Sequence, residues 1–373
     1  MSDLSVNSIL DASGGATTTI NGFTPTVSNM AGRNRIINGD MRIDQRNNGA
    51  AVVAVAGGGY HTVDRFNLFD NLGSMDIQQS TIAPAGFSYS TKYTVNVAGT
   101  LAATSIVSPN QSIEGLSVAD LNWGTVNAKQ ITVSFWCRSS ITGVYGFWIR
   151  NSAADRSYTS NFTINSVDTW QLISISVAGD TTGTWLTTNA AGLTVGVSLA
   201  LGADRLGAAN AWQAGSFYGT SSQVAWHGTV GATFYITGVQ LEAGSVATPF
   251  EHRQYGQELA LCQRYYYQQT YDATNQPISS SAYWSTSTNI EWLFLYPVPM
   301  RATPSISFTT IGGLFALESQ TAWRQLSSVS VNEIGSSSVK FSGTAATNTN
   351  YATRQPSAVG LRATGSINYS AEL

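Results

Sequence analysis

Apolar residues and small polar residues alternate with a period of two over most of the chain between Gly32 and Arg253. Residues 131–135 alternate Ile, Val and Phe with Thr and Ser, and residues 193–201 place Leu or Val at every odd position. A similar alternation marks residues 92–97, 145–150, 170–177 and 233–241. Because successive side chains of a strand point to opposite faces of a sheet, this pattern predicts strands with one face in a core.

Short polar turns separate these segments, as at residues 178–183, which read Ala-Gly-Asp-Thr-Thr-Gly. Between the same limits, no stretch of useful length shows the 3.6-residue period of a helix. Many strands joined by polar turns are typical of an antiparallel sandwich. The sequence therefore predicts an all-β chain whose main domain, residues 32–254, is an antiparallel jelly-roll sandwich.

One helix is predicted directly after this domain. Residues 255–267 contain strong helix formers and no breaker after Gly256. Leu259, Cys262 and Tyr266 fall on one helical face, which gives the segment an apolar side. We expect a linking helix over residues 255–270 that packs on the sandwich or on the same helix of neighbouring chains.

Strand patterns return beyond the helix. They cover residues 289–296, 303–308 and 338–341. No fixed repeat period indicates a solenoid, a propeller or a β-helix. We expect a smaller C-terminal β domain over residues 271–373.

Residues 1–31 differ from the rest of the chain. Residues 4–10 have the composition of one short strand, and the Gly- and Thr-rich residues that follow carry no helix signal. Two interpretations remain open: a disordered tail, and an extended anchor that orders when it adds a strand to a partner or to sister chains. In the second interpretation the candidate anchor residues are the apolar ones, Leu4, Val6, Ile9 and Ile20.

Charge is scarce in this sequence. Only 10% of the residues are charged and the net charge is −3, which disfavours a nucleic-acid partner. The hydrophobic content of 43% suffices for a sizeable core and disfavours global disorder. The chain shows no signal peptide and no apolar run long enough for a membrane span, so no membrane insertion is expected.

Residues for catalysis or metal binding are not clustered. The histidines His61, His227 and His252 are widely scattered, and Cys137 and Cys262 form no paired motif. Glycoside hydrolysis needs two carboxylates at a suitable separation, and nothing in the sequence pairs the acidic residues. We predict no catalytic residue, no metal ligand and no cofactor, and we expect the protein not to be an enzyme.

Aromatic residues suited to binding are abundant, with ten tryptophans and sixteen tyrosines. An aromatic ring can stack on the apolar face of a sugar, while amides and hydroxyls bond the sugar hydroxyls. The alternative for each tryptophan is packing in the core or between chains. Several candidates lie in glycine-rich loops, and the full set for glycan binding is Trp123, Trp148, Trp212, Tyr218 and Trp226.

Three stretches are similar to known families. Residues 33–46, which read RNRIINGDMRIDQR, and residues 60–66, which read YHTVDRF, resemble the opening of a family of bacteriophage virion proteins. Residues 234–251, FYITGVQLEAGSVATPFE, are similar to the closing strand of carbohydrate-binding β-sandwich modules. In that phrase Gln240 and Glu242 are expected to be scaffold residues that bond backbone in the last strand and its turn. Such modules often hold a structural calcium ion, but no acidic cluster here matches an obvious ligand set, so calcium is left open.

The resemblance, which covers roughly residues 32–268, implies a structural fibre protein of a bacteriophage virion. It would be a tail fibre that attaches by its N-terminus and recognises a host cell-surface polysaccharide, with the region from Tyr271 facing the receptor. By analogy it would be a homotrimer, assembled in the bacterial cytoplasm and located in the virion with other tail or capsid proteins. The alternatives are a head fibre or capsid decoration protein without an essential receptor role, and a polysaccharide depolymerase.

Overall fold

The computed structural model describes residues 32–271, 276–309, 314–317, 323–345, 356–361 and 365–373. The chain divides into two compact units, with the boundary between Gln254 and Tyr255. The anchor candidates Leu4, Val6, Ile9 and Ile20 lie outside the described residues.

The first unit contains thirteen strands among its described residues. They are β1 (Val52–Val55), β2 (Asn67–Asp70), β3 (Ser74–Ser80), β4 (Ser90–Val97), β5 (Ile106–Glu114), β6 (Ile131–Ser139), β7 (Gly143–Asn151), β8 (Arg156–Ile164), β9 (Gln171–Val177), β10 (Ala191–Ser198), β11 (Ala200–Leu201), β12 (Ala211–Ala214) and β13 (Thr233–Ala243). Four short 3-10 turns lie between them at Gly115–Ser117, Ala119–Leu121, Ala203–Arg205 and Trp226–Gly228.

These strands form two antiparallel sheets. The six-stranded sheet has the order β1-β3-β4-β13-β6-β9, and the seven-stranded sheet has the order β11-β5-β10-β7-β8-β12, with β2 paired to β5. The predicted alternation is visible in β7, where Tyr145, Phe147 and Ile149 are buried in the core. The two sheets enclose that core, so the chain has the all-β, antiparallel sandwich that the sequence predicts.

Aromatic side chains from both sheets meet in the core. Tyr145 of β7 lies against Phe162 of β8 and Phe234 of β13, with ring centroids 5.7 Å apart in each pair. Phe135 of β6 contacts the same Phe162 edge-on at 5.3 Å. Because each large aromatic ring removes 150–250 Å² from water, as a typical magnitude, these contacts contribute strongly to holding the sheets together.

A bulge interrupts β13 at Gly238. The register of β13 with β6 shifts between Thr237 and Gln240, and Gly238 adopts a positive φ of 62°. A Cβ at this position would lie 2.7 Å from the ring of Phe87, so glycine is required for both backbone and space.

Gln240 and Glu242 follow this bulge and organise the closing turn. The Glu242 carboxylate accepts bonds from the backbone N–H of Thr248 at 2.8 Å and from its hydroxyl at 2.7 Å. The Gln240 amide donates to Glu242 at 2.9 Å and accepts from the backbone N–H of Glu251 at 2.9 Å. Glu251 in turn accepts from the backbone N–H of Asn34 at 2.7 Å, which ties residues 240–251 to the start of the domain. The side chains of Gln240 and Glu242 thus bond backbone groups of the closing turn, as scaffold residues do.

The second unit contains one helix and nine strands among its described residues. They are α1 (Tyr255–Gln263), β14 (Tyr266–Tyr271), β15 (Gln276–Trp284), β16 (Asn289–Leu295), β17 (Ser305–Phe308), β18 (Leu314–Leu317), β19 (Trp323–Ile334), β20 (Ser338–Ala345), β21 (Pro356–Leu361) and β22 (Gly365–Ser370). Six of the strands close into a barrel in the order β15-β16-β20-β19-β18-β21, and β14-β22-β17 form a separate sheet. This is the smaller β domain that the sequence predicts.

The helix is shorter than the sequence analysis predicts. It ends at Gln263 and β14 begins at Tyr266, whereas the sequence predicts a helix over residues 255–270. Tyrosine favours strands, and Tyr267 stacks on Phe294 and Tyr369 with centroids 6.0 and 5.7 Å away. The packing of this ring in the second unit outweighs the local helical pattern.

Candidate functional site

The outer face of the seven-stranded sheet carries a second, smaller apolar cluster. Trp148 and Arg150 point to this face because they alternate with the core residues of β7. A segment that includes Tyr218 covers Trp148, which is fully buried. The members of the cluster are Ile106, Trp148, Leu201 and Tyr218, with Phe69 and Leu206 packed against them.

Trp148 fixes the geometry of this cluster. Its indole N–H donates to Ser108 Oγ at 2.8 Å, and its ring stacks on Phe69 at 5.9 Å with the planes inclined by 16°. Tyr218 meets it edge-on at 4.9 Å. Gly196 of the neighbouring strand β10 makes room for the indole, because a Cβ there would lie 2.6 Å from Trp148 Cζ2.

An open cleft of about 400 Å³ lies beside the cluster. Its walls come from the loop before β2, from β2, β5 and β7, and from the segments that follow β11 and β12. The lining residues are Gly58, Phe69, Asp70, Ile106, Arg150, Arg205 and Tyr218. The cleft therefore combines aromatic surface, two guanidinium groups, a phenol and a carboxyl group.

Arg150 is held firmly at the wall of the cleft. Its guanidinium carbon lies 5.5 Å from the ring centroid of Phe69, 5.8 Å from that of Trp148 and 5.4 Å from that of Tyr218. Its Nη1 donates to the Tyr218 hydroxyl, and to Ser216 Oγ at 3.3 Å. Burial and the nearby Arg205 charge lower the pKa of Arg150 from its ordinary value.

Asp70 supplies the carboxyl group of the cleft. Its Oδ1 accepts the backbone N–H of Leu72 at 2.8 Å, Oδ2 is buried, and the backbone N–H groups of Leu72 and Gly57 both favour the ionised form. Burial raises the pKa of Asp70 to about 6. A carboxyl group in this condition is costly to the fold and is more often found at binding or catalytic sites than elsewhere.

Replacing Asp70 by asparagine is expected to make the protein less sensitive to pH. The folded-state pKa lies above the ordinary value of 3.8, so the wild type loses stability as the pH rises through about 6. Between pH 4 and pH 7.5 the stability of Asp70→Asn relative to wild type should therefore rise by about 2 kcal/mol. Urea unfolding at both pH values measures this difference. A difference that does not change with pH would contradict the assigned environment of Asp70.

Two other predicted glycan residues, Trp123 and Trp212, lie in a separate cluster with Trp185. The centroid distances are 4.7 Å for Trp123–Trp185, 5.3 Å for Trp123–Trp212 and 5.4 Å for Trp185–Trp212. All three indole N–H groups donate to backbone carbonyls, those of Lys129, Thr182 and Ala178. The edge-to-face packing and the occupied N–H groups indicate that this cluster joins loops.

Trp226 belongs to the main core and does not line the cleft, which corrects its prediction as a glycan-binding residue. It is 0% exposed within the main core, and its indole N–H donates to the carbonyl of Thr233 at 3.2 Å. No ring face is available to a sugar, because the 3-10 turn that carries Trp226 folds it inward. Trp148 is also fully buried, so it supports the cleft without offering a stacking face.

The structure therefore brings Trp148 and Tyr218 together and separates them from the remaining candidates. Sequence reasoning missed Phe69, Asp70, Arg150 and Arg205 as cleft residues. One signal was present: Arg150 stands two positions after Trp148 in a predicted strand, which places both on the same face. The others come from short or irregular segments that carry no such pattern.

Within the described ranges, no group of three or more His, Cys, Asp or Glu side chains is arranged to hold a metal ion. In that same part of the chain, no helix is long and apolar enough to cross a membrane. The side chains of Cys137 and Cys262 are buried, and burial raises the pKa of the Cys137 thiol to about 12.

No protein-family model matches the chain, and no curated protein matches it. Among solved structures, the enzymatically active domain of tailspike protein 4 of bacteriophage CBA120 has a TM-score of 0.30 and 12% identity; the match covers 52% of this chain and 21% of that one. A structure described as a CBM4 has a TM-score of 0.27 and 14% identity, covering 55% of this chain and 97% of that one. The CBM22-1 xylan-binding domain of Paenibacillus barcinonensis Xyn10C has a TM-score of 0.25 and 10% identity. That match covers 53% of this chain and 95% of that one. At TM-scores this low, the similarity assigns neither family nor function.

Proposed function

We propose that this chain is a glycan-binding structural protein of a bacteriophage virion, and that it binds host polysaccharide in the cleft beside Arg150. The cleft itself is the observation that supports glycan binding. It places an aromatic ring, Phe69, next to charged and hydroxyl groups on an open face. This combination suits a sugar, which offers an apolar ring face and many hydroxyl groups.

The virion part of the proposal rests on the resemblance of residues 33–46 and 60–66 to the opening of phage virion proteins. In this proposal the chain is a tail fibre located in the virion, where residues 1–31 attach it to other tail or capsid proteins. It assembles as a homotrimer, and three copies of one weak site then act together. Multivalency of this kind converts modest single-site affinity into firm adsorption.

The chain acts without catalysis in this proposal. Glycoside hydrolysis uses a pair of carboxyl groups on either side of the scissile bond. Among the described residues that line the cleft, Asp70 is the one carboxyl group. A single carboxyl group can accept hydrogen bonds from sugar hydroxyls, which suits binding.

Adsorption of the parent phage to its host tests the proposal. We expect an excess of the purified full chain to block adsorption. Phe69→Ala should block adsorption less well, because it removes the partly exposed ring of the cleft. The control is Leu172→Ala, which changes an exposed residue of the other sheet and should block adsorption as the wild type does.

A folded chain that leaves adsorption unchanged would contradict receptor binding and favour a head fibre or decoration protein. Release of reducing ends from host polysaccharide during the same incubation would instead favour a depolymerase. Thermal unfolding of each variant distinguishes loss of binding from loss of structure.

A further inference from the structure

The cleft contains two arginines that no carboxylate neutralises. Among the described residues, Arg150 and Arg205 form no ion pair, and the hydrogen bonds of their guanidinium groups go to neutral oxygens, those of Ser216 and Tyr218 for Arg150 and of Thr104 for Arg205. Five other arginines of the same unit each pair with an aspartate within 3.1 Å, namely Arg35, Arg42, Arg46, Arg138 and Arg156. The cleft therefore holds uncompensated positive charge, unlike these other arginine environments.

Asp70 lines the same cleft but does not neutralise these arginines. Its Oδ1 accepts the backbone N–H of Leu72, its Oδ2 is buried, and neither oxygen has a described bond to a guanidinium group. The charges of Arg150 and Arg205 do not lower its pKa, which burial instead raises to about 6. The two guanidinium groups thus face the space of the cleft, and the carboxyl group forms a different part of its wall.

Arg150 is preorganised for an anion. Three aromatic rings and two hydroxyl groups fix its guanidinium plane, so little side-chain freedom would be lost on binding. Its Nε is buried and has no described hydrogen-bond partner. Arg205 lies over the same Tyr218 ring, with its guanidinium carbon 5.8 Å from the centroid. Two cations sharing one buried ring repel each other, and a bound anion would relieve that repulsion.

On the basis of the function proposed above, we propose further that the bound sugar carries an oxyanion, a carboxylate or a phosphate, and that Arg150 and Arg205 hold this group. Guanidinium groups bind both oxyanions through paired N–H donors. The neutral hydroxyls of the same sugar would face the Asp70 carboxyl group in the wall of the cleft, and its ring would lie against Phe69. The cleft would then discriminate against a neutral sugar, because that sugar leaves both cations unpaired.

Surface polysaccharide extracted from the host is the probe that tests this inference. Binding of the full chain is measured for the intact polymer, for the carboxyl-reduced polymer and for the polymer dephosphorylated with hydrofluoric acid. We expect the intact polymer to bind and one of the two treatments to weaken binding at least tenfold. Loss on carboxyl reduction identifies a uronate-type group, and loss on dephosphorylation identifies a phosphate.

Protein variants give an independent arm of the same experiment. Arg205→Gln should weaken binding of the intact polymer about tenfold. Lys129→Gln removes the same charge from an exposed site and should leave affinity within about twofold. Arg150→Lys keeps the charge but not the planar fork, so it should also weaken binding about tenfold, with thermal unfolding measured to verify folding.

The inference is overturned if both treated polymers bind as tightly as the intact one, or if Lys129→Gln weakens binding as much as Arg205→Gln. These outcomes would leave glycan binding standing and refute only the selection for an anion. A folded wild-type chain that binds no form of the polymer would contradict the proposed function itself.

Discussion

Replacing Trp226 by alanine is expected to lower the free energy of unfolding of the first unit by about 3–5 kcal/mol. The side chain is 0% exposed and packs in the main core, so alanine would leave a large cavity. It would also leave the carbonyl of Thr233 without the indole N–H that bonds it at 3.2 Å. Urea unfolding followed by circular dichroism measures the change.

Trp170→Ala is the matched control for this variant. Trp170 is only half-buried and meets Tyr235 edge-on with centroids 6.1 Å apart, so we expect a loss of about 1 kcal/mol or less. A Trp226→Ala protein that unfolds as the wild type does but no longer binds glycan would restore Trp226 as a sugar-stacking residue and contradict its structural assignment.

Replacing Glu242 by alanine is expected to cost about 3–4 kcal/mol of stability. Its buried carboxylate accepts three hydrogen bonds, from the N–H and hydroxyl of Thr248 and from the amide of Gln240. Removing it leaves the N–H and hydroxyl of Thr248 without this acceptor, at about 1–3 kcal/mol for each unsatisfied group, whereas the Gln240 amide keeps its bonds to the oxygens of Thr248. Glycan binding by the folded fraction should stay unchanged, because Glu242 does not line the cleft.

Two variants test this explanation of Glu242. Glu242→Gln keeps one acceptor oxygen, so its cost should be smaller, about 1–2 kcal/mol. Asp120→Ala removes an acid from a partly exposed ion pair with Arg35 and should change stability by less than about 1 kcal/mol. Equal losses for Glu242→Ala and Asp120→Ala would contradict a scaffold role for residues 240–248.

The sandwich could be predicted from the sequence because alternation directly encodes which side of a strand faces the core. Residues 131–135 and 193–201 lie in β6 and in β10–β11, where their apolar side chains are buried. The same rule, applied to β7, puts Trp148 on the face opposite Tyr145, Phe147 and Ile149. Alternation does not reveal whether a distant loop covers that face, and the segment carrying Tyr218 does so.

The cleft could be predicted only in part, because most of its residues come from segments that show no alternating pattern. Asp70 and Phe69 come from β2, a four-residue strand too short to show a period. Arg205 lies in a 3-10 turn, and its approach to Tyr218 depends on the path of the segment between them. Trp123, Trp185 and Trp212 likewise meet because separate loops converge, which no local pattern encodes.

A crystal structure of the full chain with an oligosaccharide released from the host polysaccharide would show directly where the glycan binds. We expect a sugar in the cleft, with its ring against Phe69, its hydroxyls near Asp70 and its charged group on Arg150 and Arg205. A sugar bound at the cluster of Trp123, Trp185 and Trp212, or only within the second unit, would contradict binding in the cleft. The second outcome would instead support the expectation that the region from Tyr271 faces the receptor.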